Sequence, residues 1–264
     1  MSDAAAPQAI TLERTDAVAT IRIDRPKAMN ALDADTLRAL ARAVRDVRRD
    51  ADVRAVVVTG TGPKAFSAGA DIAAMAAMSP GDGHAYSQLG HEVFNRLEAL
   101  DVPVVAAVNG AALGGGLELA LACDFIVAAE HARLGLPETS LGLIPGFGGT
   151  QRLALRVGLA QARQLVYLGR VIEAAEALRI GLVDRVMPGD TLAEAAGSLA
   201  RELAGRAPVA LAQAKRLTRA AAHAAMAPAL AHEVDAFAAT FASDDRIEGL
   251  RAFLEKRAPA WKGR

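Results

Sequence analysis

Hydrophobic and polar positions follow two different periods along the first two thirds of the chain. Residues 18–23 alternate between apolar and polar, as in a half-buried strand, whereas apolar residues at 37–47 recur at helical spacing behind Asp33, a good N-cap residue. Short apolar runs at 53–59, 102–108 and 125–128 are typical of buried strands. Strands that alternate with helices predict an α/β core.

The pattern becomes purely helical towards the C-terminus. From residue 191 onward it predicts helices only, interrupted at Pro208 and Pro228. We therefore expect a core at 1–200 and a C-terminal α-helical region at 201–264. The remaining predicted elements are a loop at 79–83, helices at 84–100, 150–168 and 173–179, and a short strand at 182–186.

Composition narrows the class of protein. Hydrophobic residues make up 52% of the chain and aromatic residues 4%, which favours a helix-rich core packed from small side chains. The formal net charge is zero, so the chain lacks the basic excess of a general nucleic-acid binder. A nucleic acid is therefore not an expected partner. A membrane is not expected either, since no apolar run reaches the roughly 18 residues that a bilayer span needs.

The single cysteine, Cys123, excludes an intrachain disulfide and lies in an apolar helical pattern, which predicts an inert core thiol. The N-terminal stretch 1–10 has neither the basic nor the apolar region of a secretory signal. A reducing compartment, the cytoplasm, is therefore the expected location.

Three common catalytic or binding motifs are absent. The turn at 60–64 lacks the spacing of a phosphate-binding loop, and Ser67 lacks the glycine at position 65 that a nucleophile elbow requires. The histidines show neither an H-E-x-x-H pattern nor cysteine partners, so no metal site is expected. They are His84, His91, His131, His223 and His232.

Two glutamates stand next to glycine-rich turns within 109–152. Glu118 follows the glycines at 114–116 inside an otherwise apolar helix start, and Glu138 precedes the glycine-rich run at 146–149. A strand, a glycine turn and a buried helix present backbone N–H groups where the helix dipole favours negative charge. A structural interpretation remains open for each: Glu118 could pair with a core arginine, and Glu138 could be an N-terminal helix acid.

The residues around these two glutamates favour a catalytic role for them. A second possible N–H donor site lies at Gly69 and Ala70. Two carboxyl groups in one pocket push their pKa values apart, so that one donates a proton while the other accepts one.

These segments in combination resemble the crotonase family, and within it the enoyl-CoA hydratases, over almost the whole chain. The resemblance implies an α/β fold, a spiral of repeated β-β-α units, followed by a C-terminal helical region that builds a trimer, often a dimer of trimers. The segments that carry it are 24–32 (DRPKAMNAL), 65–72 (AFSAGADI), 109–124, 137–153 and 243–257.

The resemblance also implies a reaction site. The backbone N–H groups of Ala70 and Gly115 would form an oxyanion hole for the thioester oxygen of an acyl-CoA. Glu138 would supply a proton to C2, Glu118 would help to activate a water for C3, and Gly146 would line the water site. No metal or redox cofactor would be needed, because polarising the thioester makes C3 electrophilic enough. Coenzyme A would be part of the substrate.

Further positions would hold the rest of the acyl-CoA. Phe237 and Lys256 would reach coenzyme A from the C-terminal region, on the same or a neighbouring subunit, although a role at the helix surface or trimer interface stays open for both. The other implied substrate-binding residues are Ala68 and Ile72 at the adenine, Arg25 and Lys27 at the phosphates, and Asp71.

The implied activity is hydration of a 2-enoyl-CoA to a 3-hydroxyacyl-CoA. Alternatives within the family are an enoyl-CoA isomerase, a specialised acyl-CoA dehydratase and a hydratase-lyase. Simple isomerases usually keep only the acid that matches Glu138, so the presence of both acids favours the hydratase. A non-catalytic oligomeric or RNA-binding member is disfavoured by the neutral net charge and by the presence of both acids. Acyl-chain preference would depend on 75–97, where the sequence is uninformative.

Overall fold

The computed structural model describes residues 9–223 and 226–260, so the N-terminal residues behind the expectation of no signal lie largely outside the described part. The strands are β1 (Ile10–Thr15), β2 (Val18–Ile23), β3 (Ala55–Gly60), β4 (Ala65–Ser67), β5 (Val104–Val108), β6 (Ala111–Leu113), β7 (Phe125–Ala129), β8 (Arg133–Gly135), β9 (Val171–Glu173) and β10 (Arg185–Met187). The α-helices are α1 (Ala34–Arg49), α2 (Ile72–Ala76), α3 (Pro80–Glu98), α4 (Gly115–Leu121), α5 (Gly149–Tyr167), α6 (Ala174–Arg179), α7 (Leu192–Ala204), α8 (Pro208–His223), α9 (Met226–Phe241) and α10 (Asp244–Leu254). Short 3-10 helices span Pro26–Ala28 and Glu138–Leu141.

The strands form two sheets that the chain visits in turn. The larger sheet has the order β1-β2-β3-β5-β7-β10 and is parallel except for the β1–β2 pair. The smaller sheet has the order β4-β6-β8-β9, with only β8 and β9 antiparallel. Each of β3, β5 and β7 is followed by a strand of the smaller sheet and then by helix. This repeat is the β-β-α spiral that the resemblance implied.

The hydrophobic pattern explains the central layer. Every residue of β3 is buried, as expected for a strand inside a parallel sheet that is covered on both faces. The N-cap prediction for α1 is confirmed: the Asp33 carboxylate accepts a hydrogen bond from the Thr36 N–H at 2.8 Å.

The predicted loop at 79–83 is wrong, because α3 already begins at Pro80. Ser79 is its N-cap: its hydroxyl accepts from the Asp82 N–H at 3.2 Å, while Asp82 accepts from the Ser79 N–H at 3.0 Å. Proline is tolerated at a first helical position, where the missing N–H has no helical partner. Gly83 permits close packing, since a Cβ there would lie 2.6 Å from the Phe241 ring of α9.

Other element bounds differ by a few residues. β3 and β5 begin at Ala55 and Val104, and the last strand spans Arg185–Met187 in place of 182–186. Gly158 interrupts α5 with a φ of 76°, so the helix predicted at 150–168 is kinked there. Pro208 is the first residue of α8, and Pro228 lies within α9.

The C-terminal helices pack on the parts of the fold that carry the predicted site. α9 lies against α3 and α5, and α10 lies against the 3-10 helix Glu138–Leu141. α7 covers β3, β5 and β7 of the larger sheet. Across residues 9–223 and 226–260, no helix combines the length and apolar character needed to cross a bilayer.

Candidate active site

The two predicted N–H donors lie on the same wall of a cleft. Gly115 is the first residue of α4, so its N–H has no partner within the helix. Ala70 forms an isolated parallel bridge with Leu32. In this bridge the Leu32 N–H donates to the Gly69 carbonyl at 2.8 Å, and the Asp71 N–H donates to the Leu32 carbonyl at 3.4 Å. The N–H of Ala70 itself therefore points away from Leu32. A Cβ built on Gly115 would lie 3.6 Å from the Ala70 nitrogen, so the two donors are neighbours.

Glu118 is held by backbone donors. The side chain is buried, and its Oε1 accepts from the Phe147 N–H at 2.8 Å and from the Gly149 N–H at 2.7 Å. These donors take the place of the core arginine that the structural interpretation required. Burial, and then the charges of Glu138 and Glu233, raise the pKa of Glu118 well above its ordinary value.

The Glu138 carboxyl group has fewer hydrogen-bond partners than that of Glu118. It is the first residue of the 3-10 helix Glu138–Leu141, so the interpretation as a helix-start acid also fits its position. Its Oε2 is shielded from solvent and has no hydrogen-bond partner among the described residues. Burial, reinforced by the charge of Glu233, raises the pKa of Glu138 to about 8. A carboxyl group with this pKa holds its proton at neutral pH and is therefore a competent general acid.

Gly114 makes the approach of Glu138 possible. Its φ of 50° is unfavourable for residues with a Cβ, and a Cβ at this position would lie 2.8 Å from Glu138 Oε1. The first glycine-rich turn therefore both starts α4 at Gly115 and leaves room for the second carboxyl group.

One cavity of about 510 Å³ brings both carboxyl groups and both N–H donors together. Its wall is otherwise mainly apolar, with Met75, Tyr86 and Phe147 among its lining residues. Mostly apolar walls with a few convergent polar groups are typical of small-molecule sites. Five further residues predicted for the substrate line it too, namely Ala68, Asp71, Ile72, Gly146 and Phe237.

The three predicted cationic residues lie elsewhere. Arg25 forms ion pairs with Asp33 at 2.9 Å and Asp71 at 3.6 Å, which already offset its charge. Lys27 lines a separate pocket of about 350 Å³ together with Lys64. Lys256 is exposed just after α10 and does not line the cavity of the two glutamates.

Sequence reasoning missed Glu233. This buried residue of α9 lies in the helix's apolar stripe of Leu230, Val234, Phe237 and Phe241. An acid inside such a stripe is the signal that could have identified it. Its carboxylate accepts from the Gly148 N–H at 2.5 Å and the Thr150 N–H at 3.1 Å.

The other sequence-based site predictions can also be placed. Burial raises the pKa of the Cys123 thiol well above its usual range, as expected for an inert core cysteine. No group of three or more metal-ligating side chains occurs in the part of the chain that the structure describes.

A β-β-α spiral that presents two N–H donors and two high-pKa carboxyl groups to one cavity defines a class of acid–base enzymes that act on a polarised carbonyl group. The family model described as enoyl-CoA hydratase/isomerase matches residues 13–264. The chain belongs to the enoyl-CoA hydratase/isomerase family.

Relatives with known names cover nearly the whole chain. A short-chain-enoyl-CoA hydratase of Clostridium acetobutylicum is 44% identical over 94% of this chain and 95% of its own length. A crotonyl-CoA hydratase of Syntrophomonas wolfei is 46% identical with the same coverage of both chains. A carnitinyl-CoA dehydratase of Salmonella typhi is 41% identical over 97% of this chain and 99% of its own.

Solved structures show the same fold. An enoyl-CoA hydratase from Bacillus anthracis superposes with a TM-score of 0.80 at 40% identity, covering 97% of this chain and 100% of that one. An enoyl-CoA hydratase from Mycobacterium avium subsp. paratuberculosis superposes with a TM-score of 0.88 at 32% identity, covering 96% and 98%.

Proposed function

We propose that the protein is an enoyl-CoA hydratase that adds water across the 2,3 double bond of a 2-enoyl-CoA to give a 3-hydroxyacyl-CoA. The observation that carries the proposal is one cavity with two N–H donors on its wall and two carboxyl groups whose pKa values are raised. The names of the relatives at 44% and 46% identity support the same reaction.

The N–H groups of Ala70 and Gly115 bind the thioester oxygen in this proposal. Negative charge develops on that oxygen when C3 is attacked, and preorganised donors stabilise it more strongly than water does. The polarised thioester makes C3 electrophilic enough that no separate cofactor is required. Because both donors are backbone groups, proline at either position would remove a donor outright.

The two carboxyl groups divide the proton transfers. Glu118 accepts a proton from the water whose oxygen forms the bond to C3, and Glu138 donates its proton to C2. The π bond between C2 and C3, one O–H bond of water and the carboxyl O–H bond of Glu138 break, while a C3–O bond, a C2–H bond and an O–H bond on Glu118 form. The pair holds one proton before and after the reaction, and exchange with solvent returns it to Glu138. The unpartnered Oε2 supports the role of donor for Glu138.

Arg25 and Lys27 remain the proposed contacts to the coenzyme A phosphates, and Lys27 is the freer of the two. Arg25 is occupied by Asp33 and Asp71, whereas Lys27 and Lys64 line the same open pocket. Phe237 contacts the acyl-thioester portion, since it lines the cavity of the two glutamates, and Lys256 remains a proposed coenzyme A contact.

A dehydratase acting in the reverse direction is the second candidate. It uses the same groups, and the 41% identity to a carnitinyl-CoA dehydratase favours it over an isomerase. An isomerase needs no water-activating base, so the buried and backbone-held Glu118 would have no task in it.

We also propose a homotrimer or a dimer of trimers in the cytoplasm, with residues 201–264 as the oligomerisation region. Large apolar side chains exposed on α8, within this region, and on α5, outside it, support an interface between copies. They are Leu155, Leu159, Tyr167, Val209 and Leu217, which are between 54% and 74% exposed. The named bacterial relatives support the location. Sedimentation velocity would identify the assembly, and a monomer at micromolar concentration would contradict it.

Crotonyl-CoA tests the proposed activity directly. We expect loss of the enoyl thioester absorbance together with formation of 3-hydroxybutyryl-CoA, measured by mass spectrometry as the addition of one water. A panel of C4 to C16 and branched enoyl-CoA substrates then measures acyl-chain preference. The proposal fails if no member of the panel is hydrated and no 3-hydroxyacyl-CoA is dehydrated.

A further inference from the structure

The start of α5 divides its backbone N–H groups between two carboxylates. The N–H groups of Phe147 and Gly149 donate to Glu118 at 2.8 and 2.7 Å. The intervening N–H of Gly148 and the next one, of Thr150, donate to Glu233 at 2.5 and 3.1 Å. Four consecutive N–H groups therefore alternate between an acid on α4 and an acid on α9.

Glu233 is built into this position from several sides. It is 4% exposed, and the Thr150 hydroxyl also donates to its Oε2. The titratable groups around it are His91 of α3, whose Nε2 lies 3.2 Å from Oε1, and Glu118 and Glu138, whose pKa values its charge affects. Arg152 of α5 lies beside Gly148. Gly148, with a φ of 103°, lets the chain turn between the two acids.

We infer that Glu233 is a positioning residue, which orients the turn 147–150 so that the Phe147 and Gly149 N–H groups hold the Glu118 carboxyl group in the cleft. Adjacent peptide planes share a Cα, so the orientation of the Gly148 and Thr150 peptides restricts that of the Gly149 peptide between them. The inference rests on the proposed role of Glu118 in activating water.

An acceptor at this position also has a structural effect, because the Gly148 and Thr150 N–H groups at the start of α5 would otherwise be buried without a partner. A neutral acceptor would serve that purpose, whereas a second buried negative charge beside Glu118 is costly. The charge of Glu233 instead contributes to the raised pKa values of both Glu118 and Glu138. Glu233 therefore connects the C-terminal helical region to the proton affinity and to the geometry of the site.

The test compares Glu233→Gln with Asp235→Asn, which removes an exposed carboxylate from the same helix. One glutamine oxygen replaces two carboxylate oxygens, so either Gly148 or Thr150 loses its acceptor. For Glu233→Gln we expect kcat for crotonyl-CoA hydration to fall about ten- to hundredfold, as for other small misplacements of a reacting group, with KM within about twofold of wild type. The basic limb of the kcat/KM profile moves to lower pH, because a negative neighbour is lost. Asp235→Asn is expected to change neither kcat nor the position of the basic limb.

The double variant Glu118→Gln/Glu233→Gln separates the inference from the proposed function. If Glu233 acts through Glu118, the double variant is no slower than Glu118→Gln alone, within about twofold. Full activity of Glu118→Gln overturns the role of Glu118. A slow Glu118→Gln beside a Glu233→Gln variant with normal kcat and pH profile overturns only the role of Glu233.

If Glu233→Gln does not fold, Thr150→Val tests the positioning role of Glu233 instead. Valine has nearly the same shape and removes the hydroxyl, which donates to Glu233 and accepts from Gln151 Nε2 at 3.0 Å. We expect kcat to fall at least about threefold with KM unchanged, the scale of one modest hydrogen bond. An unchanged kcat in a folded Thr150→Val protein overturns the inference.

Discussion

Glu118 and Glu138 lie in one cavity but in opposite kinds of surroundings. Glu118 is sequestered on α4 and receives two backbone N–H groups on a single oxygen. Glu138 lies on a 3-10 helix of four residues, and its Oε2 has no partner in the described residues. Hydrogen-bond donors favour the ionised form of a carboxyl group, whereas a dry and unpartnered oxygen favours the protonated form. Burial and neighbouring charges raise the pKa of both groups, but only Glu118 receives backbone donors that favour its ionised form, and this difference supports our proposal that Glu118 is the base and Glu138 the acid.

The largest expected effect tests the acid. Glu138→Gln removes the proton donor but keeps size and shape, so we expect kcat for crotonyl-CoA hydration to fall by at least about a hundredfold, the scale of general acid–base catalysis. Binding of the acyl-CoA is retained and is measured by isothermal titration. Glu130→Gln, at an exposed site, is the control and keeps full activity. Near-normal turnover of Glu138→Gln would remove Glu138 from the mechanism.

The second prediction concerns the close contact between Gly146 and the Phe237 ring in the wall of the cavity. A Cβ at position 146 would lie 2.6 Å from the Phe237 ring, so in Gly146→Ala the ring has to move within the cavity. We expect a stability loss of about 1–3 kcal/mol, typical of overpacking, and a kcat lowered about tenfold. Thermal unfolding and initial rates measure the two effects.

Two further variants sharpen this prediction. Gly81→Ala adds a methyl group whose nearest heavy atom, on Ser79, is 3.8 Å away, so it should be neutral. Adding Phe237→Leu to Gly146→Ala should restore part of the lost stability, since the two changes share one space. Equal stability of the Gly146→Ala and Gly81→Ala proteins would contradict the predicted clash.

The third prediction is the pH dependence of the acid. Glu138 must be protonated to donate to C2, and its pKa is raised to about 8. The kcat/KM for hydration should therefore fall above pH 8, approaching tenfold per pH unit. Initial rates between pH 6 and pH 10 measure this limb, and in Glu138→Gln the limb should vanish from the residual activity. A wild-type rate that stays constant up to pH 10 would contradict a protonated acid at this position.

The smallest expected effect is on stability. Folded Glu138 keeps its proton up to about pH 8, while the unfolded chain loses it near the ordinary pKa of 4.5. The folded state binds more protons between these values, so the contribution of Glu138 to stability decreases as the pH rises. Glu138→Gln lacks this dependence. Its stability relative to wild type should therefore increase steadily between pH 5 and pH 8, measured by chemical denaturation at each pH.

Local patterns predicted the elements well but not always their ends. The buried run of β3 and the Asp33 cap of α1 depend on neighbours in sequence. The structure confirms the strand and the cap, although β3 begins at Ala55. The loop predicted at 79–83 failed because proline and glycine were interpreted as breakers. The capping box between Ser79 and Asp82 makes the same residues a helix start.

The sequence by itself determined the α/β class, the two glycine-rich turns and the pair of glutamates, because these follow from periodicity and from residue types at close spacing. Only the tertiary structure brought Ala70 beside Gly115, since the two lie on different turns of the spiral. It also brought Glu233 of α9 to the start of α5, 85 residues from its partner Gly148. The pKa values were decided in the same way: burial and neighbouring charges set them, and both arise only when distant segments pack together.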